Sequence, residues 1–573
     1  MDTSPFAQLP DELLEAIILH LPPAATLAFA ATCRRSSQIA HEPLVWRRHC
    51  IREYRYWQPS HEIKEKLQLP PTQTRWRDLF GERQRTDREA REVFESLLLT
   101  QQERSARMEK VTEWGYDVKD LLVRIAEETP DEAEDVLARR YHANAIMGCI
   151  HRTTALEKWM RMQRRQMVRL EEVLGAYDLF VLAGRRGDLN DIDAEFDRIA
   201  EAIRRRDPDF DDLSIRRKAG QIAKFLRSEK LVGNPSAQEY HDLRNNFISI
   251  ALFEEPHTSL PLQSVAIYCA IARRLGVNAK PSNYPHHVHA VIHAPAHVTL
   301  DGKPRGPEHP PRASDDDRDP DDSEVMYMDP WHSSTELPRS DLVTRLVYMG
   351  IPTTHHPHCL SSTSNLEIAL RTGRNIMNSV QEARERIRHP GPGRPRTPDV
   401  EAAWYSMLWS MFVLGESSAA SALHRRRQIL PYLIEHYQQH FPEDLGLVER
   451  VVPPLLEGER EHHVLMHLIT TARKADANRR APCPRPERKG GAEEAQGVAI
   501  RIGTYFRHRR YGYRGMVVGW DTRCGAEPAW IEQMRVDDLP RGREQPFYNV
   551  VYVIPFSSSL LTSHSRRCEK RFW

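Results

Sequence analysis

The chain has 573 residues, of which 28% are charged and 40% hydrophobic, and its net charge is +1. That length holds roughly three or four domains of about 100–200 residues each. The near-zero charge excludes a global field that would draw the whole molecule to nucleic acid or an acidic membrane, so any such attraction has to be local. The sequence contains no stretch of about eighteen apolar residues, so no membrane span is expected. Its first residues lack the basic and apolar regions of a signal peptide. Cys33, Cys50, Cys149, Cys269, Cys359, Cys483, Cys524 and Cys568 form no C-x-x-C pair. Reduced thiols and a cytoplasmic or nuclear location are therefore expected.

Residues 1–82 open the chain in chemical character as well as in order. Leu13, Leu14, Ile17, Ile18 and Leu21 recur on one face of a helix, with Pro10 in its first turn and Pro22-Pro23 as its stop. A second short helix is predicted to carry Leu27, Phe29, Ala30 and Cys33. A third starts after Pro43 with Leu44, Val45, Trp46 and Ile51. Three short helices enclose little core, and the apolar faces left over call for a partner surface. The pattern Leu9-Pro10-x-Glu12-x-Leu14, then Ile17, Leu21-Pro22, Thr32-Cys33-Arg34 and Leu44-x-Trp46-Arg47, resembles the F-box. The resemblance implies docking on the Skp adaptor of a cullin-based SCF ubiquitin ligase through Leu9, Pro10, Leu14, Ile17, Ile18, Leu21 and Pro22. Helix-in-groove recognition is the physics of such a contact.

Residues 83–250 are charged and helix-periodic, with Val93, Phe94, Leu97 and Leu98 as apolar marks and no motif of their own. Residues 251–475 open on an apolar helix in which Val265, Tyr268, Cys269, Ala272 and Leu275 form a stripe that ends at Gly276. A strand is predicted from Val288 to His293, preceded by Tyr284-Pro285-His286-His287. Pro- and Asp-rich residues 301–323 read as a solvated insert. A second strand, Val325 to Met328, leads into Asp329-Pro330-Trp331. Pro390 to Pro395 reads as a linker, and residues 476–497 as disordered.

Helix, strand with His, then strand ending in Asp resembles the transglutaminase-like fold, in its SirB-type branch. The resemblance implies a nucleophile at the helix start, a His that activates it and an Asp that orients the His. Counting back from Arg274-Leu275-Gly276 puts Pro261 at the nucleophile position, with His287 and Asp329 at the other two. Proline supplies no nucleophile, so a pseudoenzyme is expected. Cys269 sits two turns further on, where a packing role is expected, and Ser259 and Ser264 are not placed by the family pattern. His287, His289, His293 and His297 share parity along the predicted strand. No cysteine or carboxylate falls at metal spacing beside them, and His355-His356-Pro357-His358-Cys359 reads as a Pro-containing loop. No metal and no cofactor are expected.

Residues 498–573 are rich in β-branched residues, aromatics, Gly and Arg. A strand, a Gly-aromatic turn, a second strand, a helical piece at Trp530–Met534 and a third strand at Tyr548–Val553 are predicted. Gly503-x-x-x-x-His508-Arg509-Arg510-Tyr511-Gly512-Tyr513-Arg514-Gly515, then Gly519-Trp520-Asp521 and Gln545-Pro546-Phe547-Tyr548, resembles the YccV-like, or hemimethylated-DNA-binding, domain. The resemblance implies a small β-barrel. Arg507, Arg509, Arg510, Tyr511, Tyr513 and Arg514 form a possible ligand or DNA surface, since arginines contact phosphates and aromatics stack on bases. Nine Arg against six Asp plus Glu between Val498 and Phe547 leave an excess of only three charges, which favours protein over DNA as ligand. The tail beyond Val553 departs from the family pattern: either the barrel lacks its last strand and has an open edge, or the domain is closed differently.

The sequence therefore predicts a multidomain α+β chain: a three-helix F-box, a helical middle with a transglutaminase-like core, and a small C-terminal barrel. The expected role is substrate recognition in an SCF-type ubiquitin ligase, non-catalytic itself, with an unidentified protein substrate and no membrane partner. The rival expectations are a transglutaminase or peptidase with a displaced nucleophile, and a DNA-binding regulator.

Overall fold

The computed structural model describes residues 9–99, 102–133, 135–182, 184–233, 236, 239–304, 324–388, 398–415, 418–478, 500, 504–507, 509, 514–521, 523–524, 526, 528–553 and 570–572. These residues are mostly helical, with two four-stranded antiparallel sheets. None of the described helices is long and apolar enough to cross a membrane. The linker at 390–395 and residues 479–497 of the stretch expected to be disordered from 476 lie outside the described residues, as does most of the 301–323 insert, whereas Asp476 and Ala477 end a helix. The chain divides into two compact units, residues 1–150 with 443–573, and residues 151–442.

In the first unit the N-terminal segment has four helices, not the three the sequence predicts: Asp11–Ile18, Pro23–Ala30, Arg34–Ala40 and Pro43–Glu53. Pro23 does not end the first helix but occupies the first turn of the second, where its fixed φ and missing N–H cost nothing. Cys33 is not inside the second helix either. It caps the third, its sulfur accepting from the Ser36 N–H at 3.4 Å. Leu14, Ile18, Ile39, Val45, Trp46 and Cys50 make the core, and Trp76, Leu79 and Phe80 complete it. Those last three residues belong to the next helix, Trp76–Leu99, so the boundary expected between residues 82 and 83 falls inside an element.

Arg83 makes this junction a packed one. Its side chain is 1% exposed and lies 3.3 Å from Asp117 and 3.5 Å from Asp120. The guanidinium sits over the rings of Tyr54 and Trp57 at 4.3 and 4.7 Å, and donates to the Tyr56 carbonyl at 2.6 Å. Asp120 in turn accepts from the backbone N–H groups of Arg55 and Tyr56. The charged, helix-periodic middle thus contributes directly to the segment that precedes it. A second apolar cluster, with Phe94, Leu97, Val111, Leu121, Leu122 and Ile146, continues the helical body.

Helices Leu445–Val451 and Arg460–Ala477 also pack in this first unit. Arg473 reaches Glu109 at 2.6 Å and Glu449 at 2.5 Å, and the Asp476 carboxylate accepts from the Ser105 N–H. The sequence assigns them to the 251–475 region because they follow it in the chain. Their partners Glu109 and Ser105 are 364 and 371 residues upstream and leave no periodic trace.

The second unit holds the transglutaminase-like core. Strands β1 (Asn278–Pro281), β2 (Ala290–His293), β3 (Val325–Met328) and β4 (Glu336–Leu337) pair antiparallel in that order. The register sets Ala290 opposite Met328 and His293 opposite Val325. β2 begins two residues later than predicted, and β1 was not anticipated. Helix Pro261–Arg274 is buried on nearly every side, because Leu174, Phe196, Ile199, Ile222, Leu226, Ile248 and Ile292 share one cluster with its side chains. The expected boundary at 250/251 falls inside helix Ile248–Phe253, and this core draws on helices from Leu170 onward.

Asp178, on helix Leu170–Val181, is fully enclosed in this unit. It accepts the Ser249 N–H at 2.6 Å through Oδ1, while Oδ2 has no partner. Burial pushes its carboxyl up to about 7. A carboxyl raised in the folded state contributes most when it is protonated in both states. That contribution is lost as the pH climbs from the unfolded value near 4 through the folded value near 7. Stability of this unit is therefore expected to fall between about pH 4 and 7, and Asp178→Asn to flatten that fall. Denaturant titrations of both proteins at pH 5 and pH 8 check this, and parallel pH dependence in the two proteins would refute it.

In the C-terminal segment β5 (Tyr505–Arg507), β6 (Arg514–Asp521), β7 (Phe547–Val553) and β8 (Lys570–Phe572) form the second sheet in chain order. A bulge between Val517 and Gly519 bends β6 against β7. Of the two alternatives for the tail, a different closure is the one seen. The end of the divergent tail returns as β8, with Tyr548 opposite Phe572 and Val550 opposite Lys570, so this edge of β7 is covered by backbone pairing that needs no family signature.

Candidate functional site

Trp331 ties the three positions that the resemblance implies for a triad to one end of the buried helix. Pro261 is its first residue. His287 lies in the turn before β2, and Asp329 directly follows β3. His287 donates from Nε2 to Asp329 Oδ2 at 3.0 Å. Pairing β2 with β3 accounts for this: their antiparallel register brings the residues before one and after the other to the same end of the sheet. The turn is shaped by His286, which holds φ +61°, a left-handed conformation that few non-glycine residues adopt.

Burial by itself would raise the Asp329 carboxyl. The hydrogen bond and charge of His287, with His289 beside it, more than offset this and hold it below the usual carboxylate range. The Trp331 ring stands edge-on to His287 at 5.4 Å and donates its N–H to the Ser259 carbonyl at 2.9 Å. It links the loop before the helix to the His–Asp pair, a positioning role that nothing in the sequence pattern assigned to it.

His289 is the residue whose setting the sequence missed. It is fully buried, and its ring lies 4.9 Å from that of His287 and 4.8 Å from that of Tyr284. Neither ring nitrogen has a hydrogen-bond partner among the described residues, and Asp329 Oδ1 has none either. Unmet buried polar groups cost about 1–3 kcal/mol each. Burial pushes the His289 imidazole down to about 3, so it is neutral across the physiological range. The shared parity of four histidines does not survive folding: His293 ends β2 while His297 lies in an exposed turn. Asp329, which the resemblance pairs with His287, arrives from a separate strand and brings beside these histidines a carboxylate that spacing along the sequence does not show. His355–Cys359 is not a loop throughout. His356–Leu360 is a short helix, and the buried His356 bonds the Ile351 carbonyl.

A cavity of about 350 Å³ opens beside Pro261. Tyr240, Leu260, Leu262, His286 and Val288 line one side, with Arg371, Arg374, Asn375, Asn378 and Ser379 on the other. Pro261 presents a pyrrolidine ring there, with neither thiol nor hydroxyl. Ser259 and Ser264, both fully buried, bond each other at 2.6 Å. Cys269 is buried, and enclosure pushes its thiol far up. A protonated, enclosed thiol is a poor nucleophile. Exposed Cys33, whose thiol is lowered by its hydrogen bonds with Ser36, provides an internal standard. Iodoacetamide is expected to alkylate Cys33 in the native protein and leave Cys269 untouched. Peptide mapping reads this directly, and equal labelling of the two would revive Cys269 as a reactive group.

The seven expected docking residues split in two. Leu14 and Ile18 are core, at 2% and 0% exposure, and cannot contact a partner while the segment stays folded. Leu9 and Leu21 are half-buried, and Pro10, Ile17 and Pro22 are exposed. Leu13, omitted from that set, is 51% exposed beside Ile17 at 42%. Pro10, Leu13 and Ile17 are spaced three and four residues apart and form one apolar stripe. In the C-terminal segment Arg507, Arg509 and Arg514 are exposed. Arg510, Tyr511 and Tyr513 lie outside the described residues.

The family comparisons agree with these three regions. Residues 6–52 match the F-box-like family model, residues 190–374 the transglutaminase-like superfamily, and residues 498–559 the family described as hemimethylated DNA-binding protein YccV like. A stretch of 59 residues is 44% identical to F-box only protein 21 of Pongo abelii, covering 10% of each chain. The proteins of the same name from Mus musculus and Homo sapiens are also 44% identical over 59 residues, 10% of this chain and 9% of each relative. The matched stretch is thus about a tenth of the length of these curated relatives. No solved structure matches the chain. The chain carries an F-box-like, a transglutaminase-like and a YccV-like segment.

Proposed function

We propose that this chain, built from those three segments, is a substrate-recognition subunit of an SCF-type ubiquitin ligase. Its F-box docks on a Skp adaptor held by a cullin scaffold. The transglutaminase-like and YccV-like segments recruit a protein substrate, and ubiquitin transfer is done by other subunits. The observation that carries this is the exposed stripe of Pro10, Leu13 and Ile17, at the start and along one side of a helix whose adjoining face, Leu14 and Ile18, is locked in the core. An apolar stripe on a rigid, small helical body suits insertion into a partner groove. Cytoplasmic or nuclear residence accompanies this role. The test is capture of a purified Skp-type adaptor by the full chain at micromolar concentration; no capture would overturn the proposal.

In this reading the transglutaminase-like segment binds rather than transforms. Pro261 at the nucleophile position and the enclosure of Cys269 support that. The cavity beside Pro261, with Arg371 and Arg374 on its wall, is the place for a substrate side chain or terminus. A DNA-binding role for the YccV-like segment has the exposed Arg507, Arg509 and Arg514 in its favour. It predicts duplex binding that weakens steeply with salt, and salt-independent or absent binding in a mobility-shift titration would dismiss it.

A further inference from the structure

We propose that His287, His289 and Asp329 form a site for one divalent first-row transition ion of the Zn2+ type. One candidate ligand atom from each lies within 4.8 Å of the others. Two imidazoles and one carboxylate are a donor set used by open zinc centres and by non-haem iron centres. The His287 Nε2 to Asp329 Oδ2 separation is 3.0 Å. Two ligands bound to one ion at about 2.0–2.2 Å stand roughly 3 Å apart, so this pair already has the spacing of adjacent ligands. His289 closes the set with a modest ring movement.

A second, independent observation points to a cation rather than to a closed hydrogen-bond network. Among the described residues, neither nitrogen of the fully buried His289 has a hydrogen-bond partner, and neither does the buried Asp329 Oδ1. A cation accepts a lone pair from one His289 nitrogen and from Asp329 Oδ1, while the other His289 nitrogen carries the ring proton. The His287 side chain is 29% exposed, which gives an entering ion a path.

The described residues offer one other candidate, Glu401, His436 and His440. There Arg384 holds Glu401 Oε2 at 2.6 Å, so a guanidinium already compensates the carboxylate and repels a second cation. That contrast supplies the control.

The experiment uses the full chain, stripped with EDTA, desalted, mixed with Zn2+ and passed over a sizing column. Zinc is then counted by mass spectrometry. One ion per chain is expected for the parent and for His440→Ala. His287→Ala and Asp329→Asn are expected to weaken retention by about 100-fold or more, beyond the loss typical of outer-shell changes. His287 is partly exposed, so its variant tests the site without disturbing the core; circular dichroism verifies the fold. With Co2+ as probe, the parent should develop the visible absorption of a protein-bound ion of low coordination number. No retained zinc in the parent, a spectrum of hydrated Co2+, or zinc lost only in His440→Ala would each overturn the proposal.

Discussion

Ile17→Asp is expected to abolish capture of the Skp-type adaptor while leaving the thermal midpoint of the full chain unchanged. Ile17 is 42% exposed and lies one helical turn from Leu13, so its side chain is available to a partner and contributes little to the core. Truncating an anchoring side chain at an interface centre costs about 2–4 kcal/mol. An aspartate adds the desolvation of a charge in an apolar groove. A loss of affinity of about 100-fold or more therefore follows from the upper half of that range. Leu14→Asp is a different experiment. Leu14 is 2% exposed among Ile18, Val45 and Trp46, so the change buries a charge in the core and unfolds the segment. Titration calorimetry with the adaptor, paired with thermal unfolding, separates the two. Undiminished binding by Ile17→Asp would remove the exposed stripe as the docking surface.

The second large effect is expected at Arg83. Its guanidinium is enclosed under Tyr54 and Trp57 and compensates Asp117 and Asp120. Burial raises the Asp120 carboxyl even with the Tyr56 and Arg55 N–H groups bonded to it, so its ionised form depends on nearby positive charge. Arg83→Ala leaves buried acids without that cation and is expected to destabilise the first unit by about 3–5 kcal/mol. Arg83→Met, which keeps the volume but not the charge, should recover only part of this. Urea titration followed by tryptophan fluorescence measures it, because Trp57 and Trp76 lie in or beside this junction. A loss below about 1 kcal/mol, the size typical of an exposed ion pair, would show that the junction is not held by this charge. The same contacts imply that residues 1–82 alone are not an independently folding piece, since Arg83 is cut away and helix Trp76–Leu99 is broken.

Some of this architecture was legible from local pattern. Pro10, the apolar repeat from Leu13 to Ile18, and Pro43 ahead of Leu44 marked helix starts and faces, because proline and helical periodicity act within a single turn. Pro261, His287 and Asp329 were placed by counting along a family pattern, and the structure brings His287 and Asp329 within hydrogen-bond distance. The fourth N-terminal helix was missed because Cys33 is a weak cap and Arg34-Arg35-Ser36-Ser37 carries no apolar period. Leu14 and Ile18 belong to the docking set that the resemblance implies, but an apolar helical period does not say whether a partner or the chain itself covers it.

What the sequence alone determined is the order of the three segments, the proline at position 261 and the apolar character of the N-terminal helices. Each depends on the identity of single residues or on spacing within a few turns. The tertiary structure decided which apolar residues remain outside, that Arg83 joins the first segment to the next, and that His289 stands unpartnered beside His287 and Asp329. Burial and electrostatic compensation are set by groups tens to hundreds of residues apart, and no local pattern records which distant group will arrive.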